Sequence, residues 1–372
     1  MKLLTAFLLA SHLALWLSHP VHPSSLNRDG CIAGMFLQFS PDGSELTQAC
    51  GFAAIEMLET ADYRKARTFR PEIDYTPELT GFDYSPDGKT MATARGHGGA
   101  QIWNAADPGK PVLEPDGKPL KPFYGVDELY ALDKPLHVLQ PPTGSDEFAR
   151  VNSINYTPDG KLLLTTHLSG HLKIWDTSTW ALQRELVVSE KGNSALFSVL
   201  AITPDSKSFI IGDDKGVLHL WSFNSKSEIR AIRLPNGLER IVHLGFSPDG
   251  KTLIAIHGGK TLKDGTAVVW NTTDWTAHTV GGRTTAAFSP DGQLLALGGT
   301  DIKLFDSSSG KELRTIQVPV FSEAEILSSW DRPDTGEKRP CVVSALAFSP
   351  AGDTLAFGCF TTLHILKLHL GM

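Results

Sequence analysis

Seven near-copies of one pentapeptide constrain this chain more than any other feature. FSPDG spans residues 39–43, followed by YSPDG at 84–88, YTPDG at 156–160, ITPDS at 202–206, FSPDG at 246–250 and 288–292, and FSPAG at 348–352. Counted from the Ser or Thr (Ser40, Ser85, Thr157, Thr203, Ser247, Ser289 and Ser349), the intervals are 45, 72, 46, 44, 42 and 60 residues. A length of 372 residues would ordinarily suggest two or three domains. A period near 44 overrides that prior, because units of this size shield one another within one larger body.

The pentapeptide explains its own recurrence as a hairpin corner. Pro presets φ for the first turn position, Asp bonds nearby backbone, and Gly accepts the positive φ that a β-branched residue resists. Short apolar stretches such as SALAF and SINY precede the corners, and stretches such as KLLLTTH follow them. A Gly-containing turn and a third apolar stretch come next, and Trp103, Trp175 and Trp221 each fall 18 residues past their anchors. Trp270 falls 23 past its anchor because its turn is longer, and Leu58, Phe305 and Leu366 take the same place in other units. Polar turns then lead to a fourth strand, as in WDTSTWALQREL and FDSSSGKELRTI. Four short strands per unit, seven times over, predict an all-β, seven-bladed β-propeller of four-stranded antiparallel blades over residues 31–372.

INYTPDGKLLLTTHLSGHLKIWDTSTWALQREL resembles a WD40 repeat, and the resemblance runs from about residue 34 to 368. It implies a circular propeller serving as a rigid platform for protein partners, with Trp103, Trp175, Trp221 and Trp270 in structural roles. The Trp-Asp pair survives only at Trp175-Asp176, and the Gly-His dipeptide that precedes the first strand in that family is absent. The Asp-His-Ser-Trp hydrogen-bond network tied to that His is therefore not expected. The family's usual closure assigns the last blade's outer strand to the N-terminus, at roughly residues 20–27.

Lys2 precedes a largely apolar run from Leu3 to Leu17, the layout of an export signal, although no A-x-A-like cleavage site follows it. Residues 1–30 are thus a signal-like segment with a closing strand, the run is too short for a stable membrane span, and an exported location is expected. If the run itself closed the ring, that location would fall. Four cysteines lie in the two blades that meet at the seam. Cys31–Cys341 is favoured as a clasp, because the innermost strands bring matching positions closest. Buried free thiols and the other pairings remain open.

A net charge of −7 without a Lys/Arg block gives no footprint for nucleic acid. No nucleotide-loop, zinc-protease, esterase or EF-hand motif occurs, and no cofactor or metal is expected. Function is sought instead in the two long intervals, read as loops 115–148 and 317–340 inserted between fourth and first strands on one face. Tyr124, Tyr130, Phe321 and Trp330 are their candidate contact rings, along with Phe123, and Ser322 with Glu325 has the spacing of a helix-capping box. Ten residues past the anchors stand Cys50, Arg95, His167, Asp213, His257, Gly299 and Cys359, joined by Arg150 and Arg240 before theirs. They form a polar collar at the mouth on that same face. The expected function is a monomeric, noncatalytic protein-interaction scaffold. The alternative is an exported lactonase-like or lyase-like propeller enzyme or ligand binder using a metal at the mouth.

Overall fold

The computed structural model describes residues 24–27, 36–50, 54–70, 79–95, 99–107, 110–111, 130–131, 135–139, 151–167, 169–188, 199–213, 215–225, 227–233, 241–258, 265–322, 338–359 and 362–368. It is an all-β propeller of seven four-stranded antiparallel blades, and no helix occurs among the described residues. Blade 3 shows the pattern: Val151–Tyr156 innermost, then Leu162–His167, His171–Asp176 and the outer Leu182–Val187. The innermost strands of the other blades are Leu37–Phe39, Leu79–Tyr84, Val199–Ile202, Ile241–Phe246, Arg283–Phe288 and Val343–Phe348. Second and third strands are buried on both sides, as in Leu294–Gly299. Their alternate residues therefore pack against two different neighbouring blades rather than one core and solvent.

The corners are built alike. In six blades the Ser or Thr hydroxyl donates to the Asp two residues on at 2.5–2.7 Å. It also accepts the amide five residues on at 2.9–3.1 Å in all seven. In the seventh blade Ala351 replaces the Asp, and Asp353 takes the Ser349 hydroxyl at 2.8 Å. Each Gly corner has φ between 70° and 75°. A Cβ on it would lie 3.5–3.9 Å from the corner Pro of the preceding blade, from Gly43 on Pro350 round to Gly352 on Pro290. Ser206, with φ 56°, replaces Gly in blade 4 and accepts the Asp159 amide of blade 3 at 3.0 Å instead. The corners thus form a closed ring of contacts, which is why the pentapeptide recurs in every blade.

Inner strands are linked side chain to backbone. Thr80 donates to the Val151 carbonyl, Thr284 to that of Val343 at 2.5 Å, and Asp83 accepts from Gln38 at 2.9 Å and from the Tyr156 amide at 2.8 Å. Asp83 thereby connects blades 1, 2 and 3, and burial pushes its carboxyl up to about 6. The ring closes where Ser24–Asn27 pairs antiparallel with Thr362–Lys367, Leu26 opposite Leu363. The closing strand is therefore distinct from the apolar Leu3–Leu17 run, which lies outside the described residues.

Two expectations are corrected. The outer strand of blade 2 is His137–Leu139, paired with Gly99–Asn104, not the residues directly after Trp103. The long excursion therefore lies between third and fourth strands. It leaves at Asn104, opposite Thr90, and returns at Leu136, whose amide bonds the Ile102 carbonyl, so both ends are on the corner face. The chain between them adds Lys110–Pro111 and Tyr130–Ala131 to the outer edge of blade 1. The two long insertions thus leave the wheel from opposite faces, although Tyr130–Ala131 pairs with Phe69–Arg70, near the collar-face end of blade 1's outer strand. Cys341 is disulfide-bonded to Cys359 in its own blade, not to Cys31, which lies outside the described residues. A hairpin that pairs Val343 with Cys359 brings the chain just before Val343 onto Cys359. Ser322 ends a strand, Val320–Ser322, and Glu325, its expected capping partner, lies outside the described residues.

Candidate partner-binding face

The 317–340 segment leaves the outer strand of blade 6, Glu312–Gln317, on the collar face. Val320–Ser322 pairs there with Lys338–Pro340 as a two-stranded arm. Isolated two-stranded hairpins are marginal in water, so this one needs anchoring. Phe321 supplies an anchor by packing against the core shared by blades 6 and 7. The Cys341 amide bonds the Pro319 carbonyl at 3.0 Å, closing the foot of the arm. The disulfide then ties that foot to the second strand of blade 7. Val320 is left 57% exposed on the arm.

The collar is less open than its composition suggests. His167 is buried, and its Nε2 lies 3.0 Å from Thr165 Oγ1, which also accepts the Trp175 indole N–H at 3.1 Å. Trp103 donates likewise to Thr93 at 3.0 Å. A Thr–Trp half of the network thus exists without the family's His, and in blade 3 His167 joins it from a different position. Trp221 has Ile211 where Trp103 and Trp175 have Thr, and its indole N–H has no partner. Trp270 pairs in register with Leu253 as Trp175 does with Leu163, so it holds the equivalent place.

Asp213 Oδ1 accepts the amides of Val217 at 2.6 Å and Lys215 at 3.0 Å, and Oδ2 faces His219 Nε2 at 3.3 Å. His219 Nδ1 faces Glu228 at 3.1 Å. Burial pushes the Asp213 carboxyl up, but the His219 bond and the two amides outweigh it and hold it below its ordinary value. Burial pushes His219 down, and its two carboxylate partners raise it above its ordinary value.

His257 is half-buried at the end of its strand, between Ile241 and Thr266. Arg95 ends the second strand of blade 2, opposite Leu79. Tyr130 stands on the strand added to blade 1, at the rim. Arg150, Arg240, Tyr124 and Trp330 lie outside the described residues. Among the described residues no three His, Cys, Asp or Glu side chains gather in a way that would hold a metal ion.

Sequence reasoning missed Arg283, which occupies a place held by Leu79, Val151, Ile241 and Val343 in other blades. Its side chain is buried, donating to Asp301 Oδ1 at 2.6 Å and to the Gly281 carbonyl at 3.1 Å. No sequence signal marks it: Gly299, directly opposite in register, is required by the Gly282 carbonyl oxygen, with which a Cβ would clash.

Comparison with known proteins agrees with this architecture. The family described as WD domain, G-beta repeat matches residues 133–176, which hold the outer strand of blade 2 and the first three strands of blade 3. A WD repeat-containing protein of Synechocystis is 26% identical over 156 residues, 40% of this chain and 41% of the relative. TBC1 domain family member 31 of Xenopus tropicalis and of Homo sapiens are each 25% identical over 99 residues, 27% of this chain and 9% of each relative. The alignments thus span less than half of the relatives' own length. The chain resembles WD40-repeat propellers, an architecture that fits a protein-interaction scaffold.

Proposed function

We propose, taking a WD40-like seven-bladed wheel as the premise, that this chain is a noncatalytic binding platform whose contact face carries the 317–340 arm and the collar. The observation behind this reading is the arm's footing: one ring in the core, a closed base and a disulfide hold Val320 out toward solvent. Preorganising a contact residue in this way lowers the ordering cost of association. The collar fits binding better than chemistry, since Asp213 and His167 engage neighbouring amides and hydroxyls rather than each other.

Export follows as part of the same proposal. The Cys341–Cys359 disulfide suits an oxidising compartment, and the Leu3–Leu17 run has the composition of a signal. No helix among the described residues is long and apolar enough to cross a membrane. The wheel is proposed to act as a monomer.

The test is capture of partners from the native cells by the full chain, by Val320→Asp, and by Ser178→Asp on the corner face. Specific partners retained by wild type and Ser178→Asp but lost by Val320→Asp support the arm face. Equal retention by all three overturns it.

A further inference from the structure

Turns between third and fourth strands on the corner face repeat one geometry. The fifth residue of the turn has positive φ in blades 1, 3, 5 and 6: Tyr63 at 57°, Trp180 at 57°, Trp275 at 60° and Gly310 at 67°. Its amide bonds the carbonyl four residues back at 2.7–2.9 Å in each. A bulky residue is strained there, so its ring must be held by what it packs against. All three rings pack toward the preceding blade. Trp180 stacks on His137, with centroids 5.1 Å apart and planes at 29°. Arg230 lies over Trp275 at 4.9 Å, and Lys367 over Tyr63 at 6.0 Å. Each ring also packs against the hydrophobic cluster shared with that preceding blade.

Blade 6 has the same turn without the ring. A Cβ on Gly310 would point at His278 of the preceding outer strand, 3.2 Å from its Cε1. The space is an open cavity of about 230 Å³ lined by Val269, Trp270, Asn271, Ala277, His278 and Ser309. No ring among the described residues is stacked on His278. The cavity thus brings together Val269, Trp270, the His278 imidazole and the Ser309 hydroxyl, and in blade 3 an indole likewise stacks on the imidazole of the preceding outer strand, His137.

We propose that the cavity between blades 5 and 6 receives a tryptophan side chain from a partner polypeptide, its indole stacked on His278 in the place left vacant at Gly310. Internal repetition is the ground for an aromatic occupant, since three equivalent grooves are already filled by one of the chain's own rings. Tryptophan is favoured because hydroxyls at the rim offer acceptors to an indole N–H. The site lies on the corner face and does not rest on the arm described above.

The test follows backbone amide signals of the full-length protein while titrating the blocked peptide Ac-Gly-Trp-Gly-NH2 and its Ala counterpart. The expected result is saturable shifts confined to Thr276–His278 and Ser307–Gly310, with a dissociation constant on the order of 1 mM for a single ring, and none with the Ala peptide. Gly310→Trp supplies the ring from within the chain and should abolish the shifts, with a lower melting temperature because a side chain is strained at its φ of 67° and meets His278 at 3.2 Å. His278→Ala, an exposed position that leaves the fold intact, should weaken binding at least about fivefold. Absence of saturable shifts in wild type, or shifts equal in wild type and His278→Ala, would overturn the proposal.

Discussion

Gly88 lies against Pro41 of the preceding blade, so that a Cβ added to it would stand 3.9 Å from the proline ring. The same Gly-on-Pro relationship recurs from blade to blade, and it makes the corner pentapeptide both a turn and an interblade contact. Gly160→Ala tests the turn half of that role. Its Cβ would meet Pro86 at an ordinary 3.6 Å, so only the φ of 70° is penalised, and urea unfolding should show a loss of about 1 kcal/mol. Ser206→Gly should change stability by less than about 0.5 kcal/mol, because relief of its positive φ is offset by loss of the Asp159 amide bond.

Indole partners separate the blades further. Trp103→Phe removes the bond to Thr93 and shrinks a buried ring, and should cost about 2 kcal/mol. Trp221→Phe removes a buried N–H that has no acceptor and should stay within about 0.5 kcal/mol of wild type or stabilise. Equal losses in chemical denaturation would contradict the assignment of Thr93 as the indole's partner.

His364 predicts a pH dependence. Its ring is buried against Phe357, its Nδ1 has no partner, and burial pushes it down to about 4. The unfolded chain therefore takes up a proton near pH 6.5 that the folded chain refuses until about pH 4, and stability falls as pH drops through that window. His364→Leu should flatten the decline by at most about 3 kcal/mol, measured as the wild-type-minus-variant difference between pH 7 and 4. Asp83→Asn should act with opposite sign. The Asp83 carboxyl holds its proton up to about 6, so its contribution is lost as pH rises from 3.8 through that value.

Reduction of Cys341–Cys359, or Cys341→Ala with Cys359→Ala, should cost about 3 kcal/mol for a loop of this length. Proteolysis within residues 317–340 should quicken more than cleavage elsewhere, because the disulfide holds the arm's foot. Uniform acceleration along the chain would mean that the bond stabilises the wheel without positioning the arm.

The corners and the Trp spacing made the blades legible in the sequence because each reports a backbone requirement that tolerates few residue types. The outer strand of blade 2 was not legible. PLHVLQ is a weak strand signal, and its three paired residues follow an excursion that the period alone places after the fourth strand. The cysteine pairing was missed for a different reason. Matching positions of neighbouring blades favour Cys31–Cys341, whereas hairpin register within one blade brings the chain before Val343 to Cys359. Arg283 was hidden because its partner, Asp301, lies on the third strand of the same blade, and only the folded hairpins bring the two together. The exposed arm residue Val320 carries no sequence mark at all, since exposure depends on which neighbour Phe321 chooses.

Closure by Ser24–Asn27 underlies the whole wheel, and hydrogen exchange at Thr362–Lys367 measures it most directly. The full chain is compared with one beginning at residue 28. Faster exchange of the Leu363–Ile365 amides in the shortened chain, with a lower melting temperature and an unchanged blade 3, is the predicted result. Identical exchange and melting in the two chains would contradict a ring closed by its own N-terminal strand.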